Sequence, residues 1–75
     1  MPLDWAGTIG NLGMVLLVVA ERQRDFELGK QALSHLRVAS EVLRDAGHAS
    51  HLYYGKRMVE AQTLVEQLEN EGSET

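Results

Sequence analysis

The chain has 75 residues, 44% of them hydrophobic, with a formal net charge of −4 and no cysteine. That length allows one domain with a thin core. Disulfide staples and thiolate metal sites are excluded, so self-association is the expected source of additional stability. The acidic balance and the scattered basic residues argue against nonspecific binding to nucleic acid or to an anionic membrane, and the lack of cysteine fits a reducing cytoplasm.

The first predicted helix runs over about residues 4–22. Pro2 is the only proline, so nothing interrupts a helix after the first few residues. Trp5, Ile9, Leu12, Leu16 and Val19 recur at spacings of four and three and share one face. Beside them Ala6, Gly10, Gly13, Leu17 and Ala20 form a second stripe, smooth in its first half. The run from Met14 to Ala20 is apolar all round, yet too short for a bilayer, which needs about 20 residues. With Asp4 before it and no positive charge, it is also a poor signal peptide.

The segment "GTIGNLG" raises the question of a phosphate loop. Such a loop places glycines in a tight turn after a strand, with amides aimed at the anion. Here no strand precedes Gly7, Gly10 and Gly13, and neither common glycine spacing is met. Each glycine costs about 0.5–1 kcal/mol relative to alanine inside a helix. Retaining three predicts a docking surface that another backbone approaches closely.

The second helix is predicted over about 26–46. Asp25 is its N-cap, with Glu27 in the first turn; Leu28, Ala32, Leu36, Ala39, Leu43 and Ala46 form its buried stripe, and Gly47 caps its end. The preceding "ERQRD" has no glycine or proline to force a turn. The third helix covers about 50–69, with Tyr54, Met58, Ala61, Val65 and Leu68 on one face. Residues 71–75 read as a disordered acidic tail. Without strand alternation or hairpin signals, the fold class is all-α: an antiparallel helical hairpin plus a third helix, in one domain over residues 1–70.

Several spacings carry a resemblance. Ile9, Leu12, Gly13 and Leu16 follow the first-helix pattern of a tetratricopeptide repeat, with aliphatics in place of aromatics. Ala32, Leu36 and Ala39 follow the second-helix pattern, and Tyr54, Gly55 and Met58 look like the start of another first helix. "PLDWAGTIGNLG" and "ERQRDFELGKQAL" resemble segments of bacterial tetratricopeptide-like proteins. Between Leu16 and Ala32 the chain is about seven residues longer than the consensus, which implies longer helices or a longer turn. The usual proline after the second helix is replaced by Asp45-Ala46-Gly47. The resemblance implies one repeat plus a capping helix. It also implies a groove lined by Asn11, Met14, Leu17 and Val18 with Tyr53 and Lys56, where Asn11 holds an extended peptide.

The all-round apolar stretch adds a partner surface on Met14, Val15, Leu17 and Val18, since two neighbouring helices rarely cover a full circumference. Tyr53 and Tyr54 are expected to split between surface and core. His48 and His51 sit three apart, but with His35 they fall short of a closed four-ligand zinc site, so no metal or other cofactor is expected. Ser34 and His35 are adjacent, which on a helix points their side chains apart. No nucleophile has a positioned base, and an enzyme is not expected. Glu66, Glu69, Glu71 and Glu74 read as a solubilising face, and Glu41–Arg44 and Arg57–Glu60 as surface pairs. The expected function is a protein–protein interaction module, a small adaptor or regulatory subunit acting as a homodimer. The alternative is a homo-oligomeric bundle enclosing a small apolar ligand or a metal at its subunit interface.

Overall fold

A computed structural model describes residues 2–73, with side-chain environments from 4 to 72. Among the described residues there are three helices and no strand: α1 (Pro2–Gln23), α2 (Phe26–Asp45) and α3 (His51–Ser73). The fold is all-α. α2 runs antiparallel between the other two, in a body 44 × 15 × 13 Å long in the direction of the helices. α1 and α3 are parallel and meet at few points. Tyr54 of α3 lies against Gly10 near one end, and an Arg24–Glu71 ion pair joins the other.

The turn that the sequence left without a breaker is made by Arg24, in the left-handed conformation at φ 52°. The Asp25 amide donates to the Ala20 carbonyl at 3.1 Å, closing α1 with a six-to-one hydrogen bond. Asp25 then opens α2, its carboxylate accepting from the Leu28 amide at 3.0 Å. One residue therefore ends one helix and begins the next, and the stretch between Leu16 and Ala32 is helical but for this turn. Asp25→Ala is expected to cost about 0.5–2 kcal/mol, measured as a fall in the urea midpoint with unchanged slope. After α2, Gly47 takes φ 72°. Its amide and that of His48 donate to the Arg44 and Leu43 carbonyls at 2.9 and 2.8 Å, a Schellman closure that needs glycine at this point.

The buried face of α1 is the small-residue stripe Ala6, Gly10, Gly13, Leu17 and Ala20, and the tryptophan stripe flanks it. The reason is proximity. A Cβ added at Gly13 would lie 2.9 Å from Leu36 Cγ, and one at Gly10 would lie 2.5 Å from the Tyr54 ring. Gly10 and Gly13 are thus a docking surface for α3 and α2 of the same chain, whereas Gly7 has open space where its Cβ would be. α2 buries Ala32, Leu36, Ala39 and Leu43, as its pattern predicts; at its start Gly29 is buried in place of the expected Leu28, which is half-buried, and Ala46 is exposed at the C-cap.

The third helix runs further than its apolar pattern suggested. Glu71, Gly72 and Ser73 continue it, so the expected tail over 71–75 is helical in its first part, and positions 74 and 75 lie outside the described residues. The pair between Arg24 and Glu71 anchors this end.

The core mixes small and large side chains. Ala6, Ala20, Ala32, Ala39 and Ala61 have no solvent exposure and lie beside the buried Leu17, Leu36, Leu43, Tyr54, Leu64 and Leu68, of which Leu36 is the largest fully buried. Further large apolar side chains remain exposed on the outside of α1 and α3. Where the helices meet through alanine and glycine they approach closely but bury little area, so at about 25 cal/mol per Å² those positions add little.

Candidate functional site

Large apolar side chains are exposed on two helices: Leu52, Tyr53 and Val59 on α3, and a group of four on the outer side of α1. Trp5 is 51% exposed, Leu12 46%, Val15 60% and Val18 45%. Met14, Val15, Val18 and Val19 line a shallow apolar depression of about 260 Å³. A second depression, about 180 Å³, lies on the flank facing α2 between Trp5, Ile9, Ser34, His35 and Val38. α1 is long and apolar over most of its middle, and its two neighbours in the chain cover only the stripe centred on Gly13 and Leu17.

This geometry sorts the residues singled out from the sequence. Val15 and Val18 face outward and Met14 is half-buried against the core. Leu17 does not belong with them. At 3% exposure it fills the core, because it falls on the same side of the helix as Gly10 and Gly13. Trp5 and Leu12, which the sequence reading placed on a face without assigning it to a partner, join the outer surface.

The groove implied between α1 and α3 is likewise altered. Leu17 is absent from it, and Asn11 is engaged within the chain, its Oδ1 accepting from the Tyr54 hydroxyl at 3.0 Å. Tyr54 is buried and Tyr53 is exposed, so the two tyrosines divide core from surface. The Tyr53 ring meets Tyr54 edge-on at 5.4 Å, and Arg57 sits over it at 5.6 Å. Lys56 points to solvent with no ion pair among the described residues.

Further along, α1 and α3 diverge around a cleft of about 380 Å³, lined by Glu21, Arg24, Val59, Glu60, Thr63, Leu64 and Gln67. Sequence reasoning did not assemble these residues, since they come together only through the parallel placement of α1 and α3. Arg57 bonds Glu60 at 2.8 Å, as its spacing suggests. Its Nε is buried without a hydrogen-bond partner among the described residues. Arg44 lies 3.6 Å from Asp45, rather than forming the pair expected with Glu41.

The histidines are used locally. His35 Nδ1 lies 2.7 Å from the Gln31 carbonyl, which can only accept, so this nitrogen carries the proton. His48 Nδ1 accepts from the Ser50 amide at 3.1 Å, shaping the turn before α3. Among the described residues no three histidine or carboxylate side chains converge as a metal site. None of the described helices is long and apolar enough to cross a membrane.

Fold and surface together define a small helical hairpin with a third helix and an apolar outer face on α1. Comparison with protein-family profiles, with characterised proteins and with solved structures gives no match to this chain.

Proposed function

We propose that this chain is a non-enzymatic protein–protein interaction module, a small adaptor or regulatory subunit of tetratricopeptide-like architecture. It self-associates, as a homodimer, through the outer face of α1. One observation carries the reading: Trp5, Leu12, Val15 and Val18 stand in solvent on one side of α1. A short chain that leaves this many large apolar side chains exposed on one helix gains further hydrophobic stabilisation when that surface is covered. The absence of cysteine fits work in a reducing cytoplasm.

Val15→Glu tests this directly, because Val15, 60% exposed, is the most exposed large apolar residue among the described side chains of α1, and its replacement leaves the internal packing untouched. The mutant is expected to remain helical by circular dichroism while its dimer dissociation constant rises about 100-fold or more, the cost of an unpaired charge in an apolar interface. An unchanged dimer would remove α1 as the association surface.

A further inference from the structure

Asp4 and Arg22 stand eighteen residues apart, five full turns of an α-helix, so they share one azimuth of α1. Both are exposed, and neither has an ion-pair partner among the described residues. Each sits at the helix end that suits its own sign, Asp4 in the first turn and Arg22 in the last. The helix dipole accounts for their order along the chain. It does not account for their alignment with the exposed face, where Thr8, Leu12, Val15 and Val19 lie between them.

That face has an internal symmetry. Trp5, Leu12 and Val19 are spaced by seven, with Thr8 and Val15 interleaved at the three-and-four spacing of a two-helix seam. Reversing the helix about Leu12 places Trp5 opposite Val19, the largest apolar side chain opposite a small one, and Leu12 opposite itself. Asp4 then comes level with the reversed Arg22 to within about 3 Å along the axis. Two helices packed antiparallel about a perpendicular twofold bring like edges together, so Asp4 of one copy meets Arg22 of the other, twice. Packed parallel, the same helices would bring unlike edges together and leave Asp4 level with Asp4 and Arg22 level with Arg22 across the seam, so neither would meet an opposite charge.

From this charge complementarity we infer that the occupant of the face is a second copy of the chain, its α1 antiparallel to the first with the twofold beside Leu12 and an Asp4–Arg22 pair closing each end. The inference rests on the self-association reading and adds to it a face, a direction and a register.

The test uses the full chain, which has no cysteine of its own. Single variants Leu12→Cys, Trp5→Cys and Val19→Cys are oxidised separately and in mixture, and covalent dimers are scored on a denaturing gel. Leu12 and Trp5 are about half exposed and Val19 is on the same side, so folding is retained. Circular dichroism checks this. The expected result is a covalent dimer from Leu12→Cys alone and from Trp5→Cys mixed with Val19→Cys, but none from either of the last two alone, whose thiols lie about 20 Å from their own counterparts. As a second readout, Asp4→Arg and Arg22→Asp are each expected to weaken the dimer roughly tenfold, and an equimolar mixture of the two to form a heterodimer of native strength. Strong cross-linking of Trp5→Cys and of Val19→Cys to themselves would show a parallel pair, overturning this inference while leaving self-association intact. A dimer that cross-links at none of these positions would overturn it in favour of another face. An unmodified chain that stays monomeric would overturn both this and the reading beneath it.

Discussion

Leu36→Ala is expected to cost about 2–5 kcal/mol, the range for removing a fully buried leucine. Among the described residues Leu36 is the only large side chain of the core without solvent exposure, and it lies at the middle of the central helix, directly beneath Gly13 of α1. Its neighbours along α2, Ala32 and Ala39, are too short to fill the space it leaves. The upper half of the range therefore applies. A chain of this size has only about 0.05–0.15 kcal/mol of stability per residue, so the variant should be largely unfolded at room temperature. Urea titration followed by circular dichroism measures this. Protein concentration must be held constant, because dimerisation contributes to apparent stability. A loss under 1 kcal/mol would mean that the alanine-lined interfaces adjust far more freely than close packing allows.

The second large effect is a change of sign within one turn of α1. Gly10→Ala places a methyl group 2.5–2.9 Å from three atoms of the Tyr54 ring. The ring is rigid, and its hydroxyl is bonded to Asn11, so relief requires α1 and α3 to separate. Overpacking of this kind costs about 1–3 kcal/mol, and loss of the hydrogen bond adds about 0.5–1.5 kcal/mol. The gain in helix propensity offsets only about 0.5–1 kcal/mol of that. Gly7→Ala adds the same methyl group where nothing lies within 4 Å, so it keeps the propensity gain and is expected to stabilise by about 0.5–1 kcal/mol. Thermal melts of the two variants beside the parent should bracket it. If both shift the same way, the close approach of α1 to Tyr54 is wrong.

The contrast between these glycines explains how much was legible in the sequence. The helices, the Asp25 and Gly47 caps and the buried stripe of α2 follow from local rules, because apolar spacing and cap chemistry act over a few residues. The choice of buried face on α1 does not. Two adjacent stripes there have the same four-and-three spacing, and the tryptophan stripe is the more hydrophobic. The small-residue stripe is buried because α2 and α3 come close on that side, and a one-sequence periodicity has no information about which neighbour approaches. Leu17 was misassigned for the same reason. Arg24 gives no signal for its turn, since its left-handed conformation is imposed by Asp25 capping the next helix. The end of α3 is met by an exposed ion pair between residues 24 and 71, a contact beyond the reach of local pattern.

The outer surface was half legible. An apolar circumference over residues 14–20 predicts that something remains uncovered, and Val15 and Val18 are indeed exposed. That Trp5 and Leu12 extend it became visible only once the small-residue stripe of α1 was seen to face α2 and α3. The monomer is left with a short core and a broad apolar exterior on α1.

The most direct test is the solution mass of the unmodified chain, by light scattering on a sizing column across a wide range of concentrations. The account predicts a mass near twice the 8.3 kDa of the chain at micromolar concentration and above, with dissociation only on strong dilution. A cooperatively folded species of 8.3 kDa persisting to millimolar concentration would contradict it.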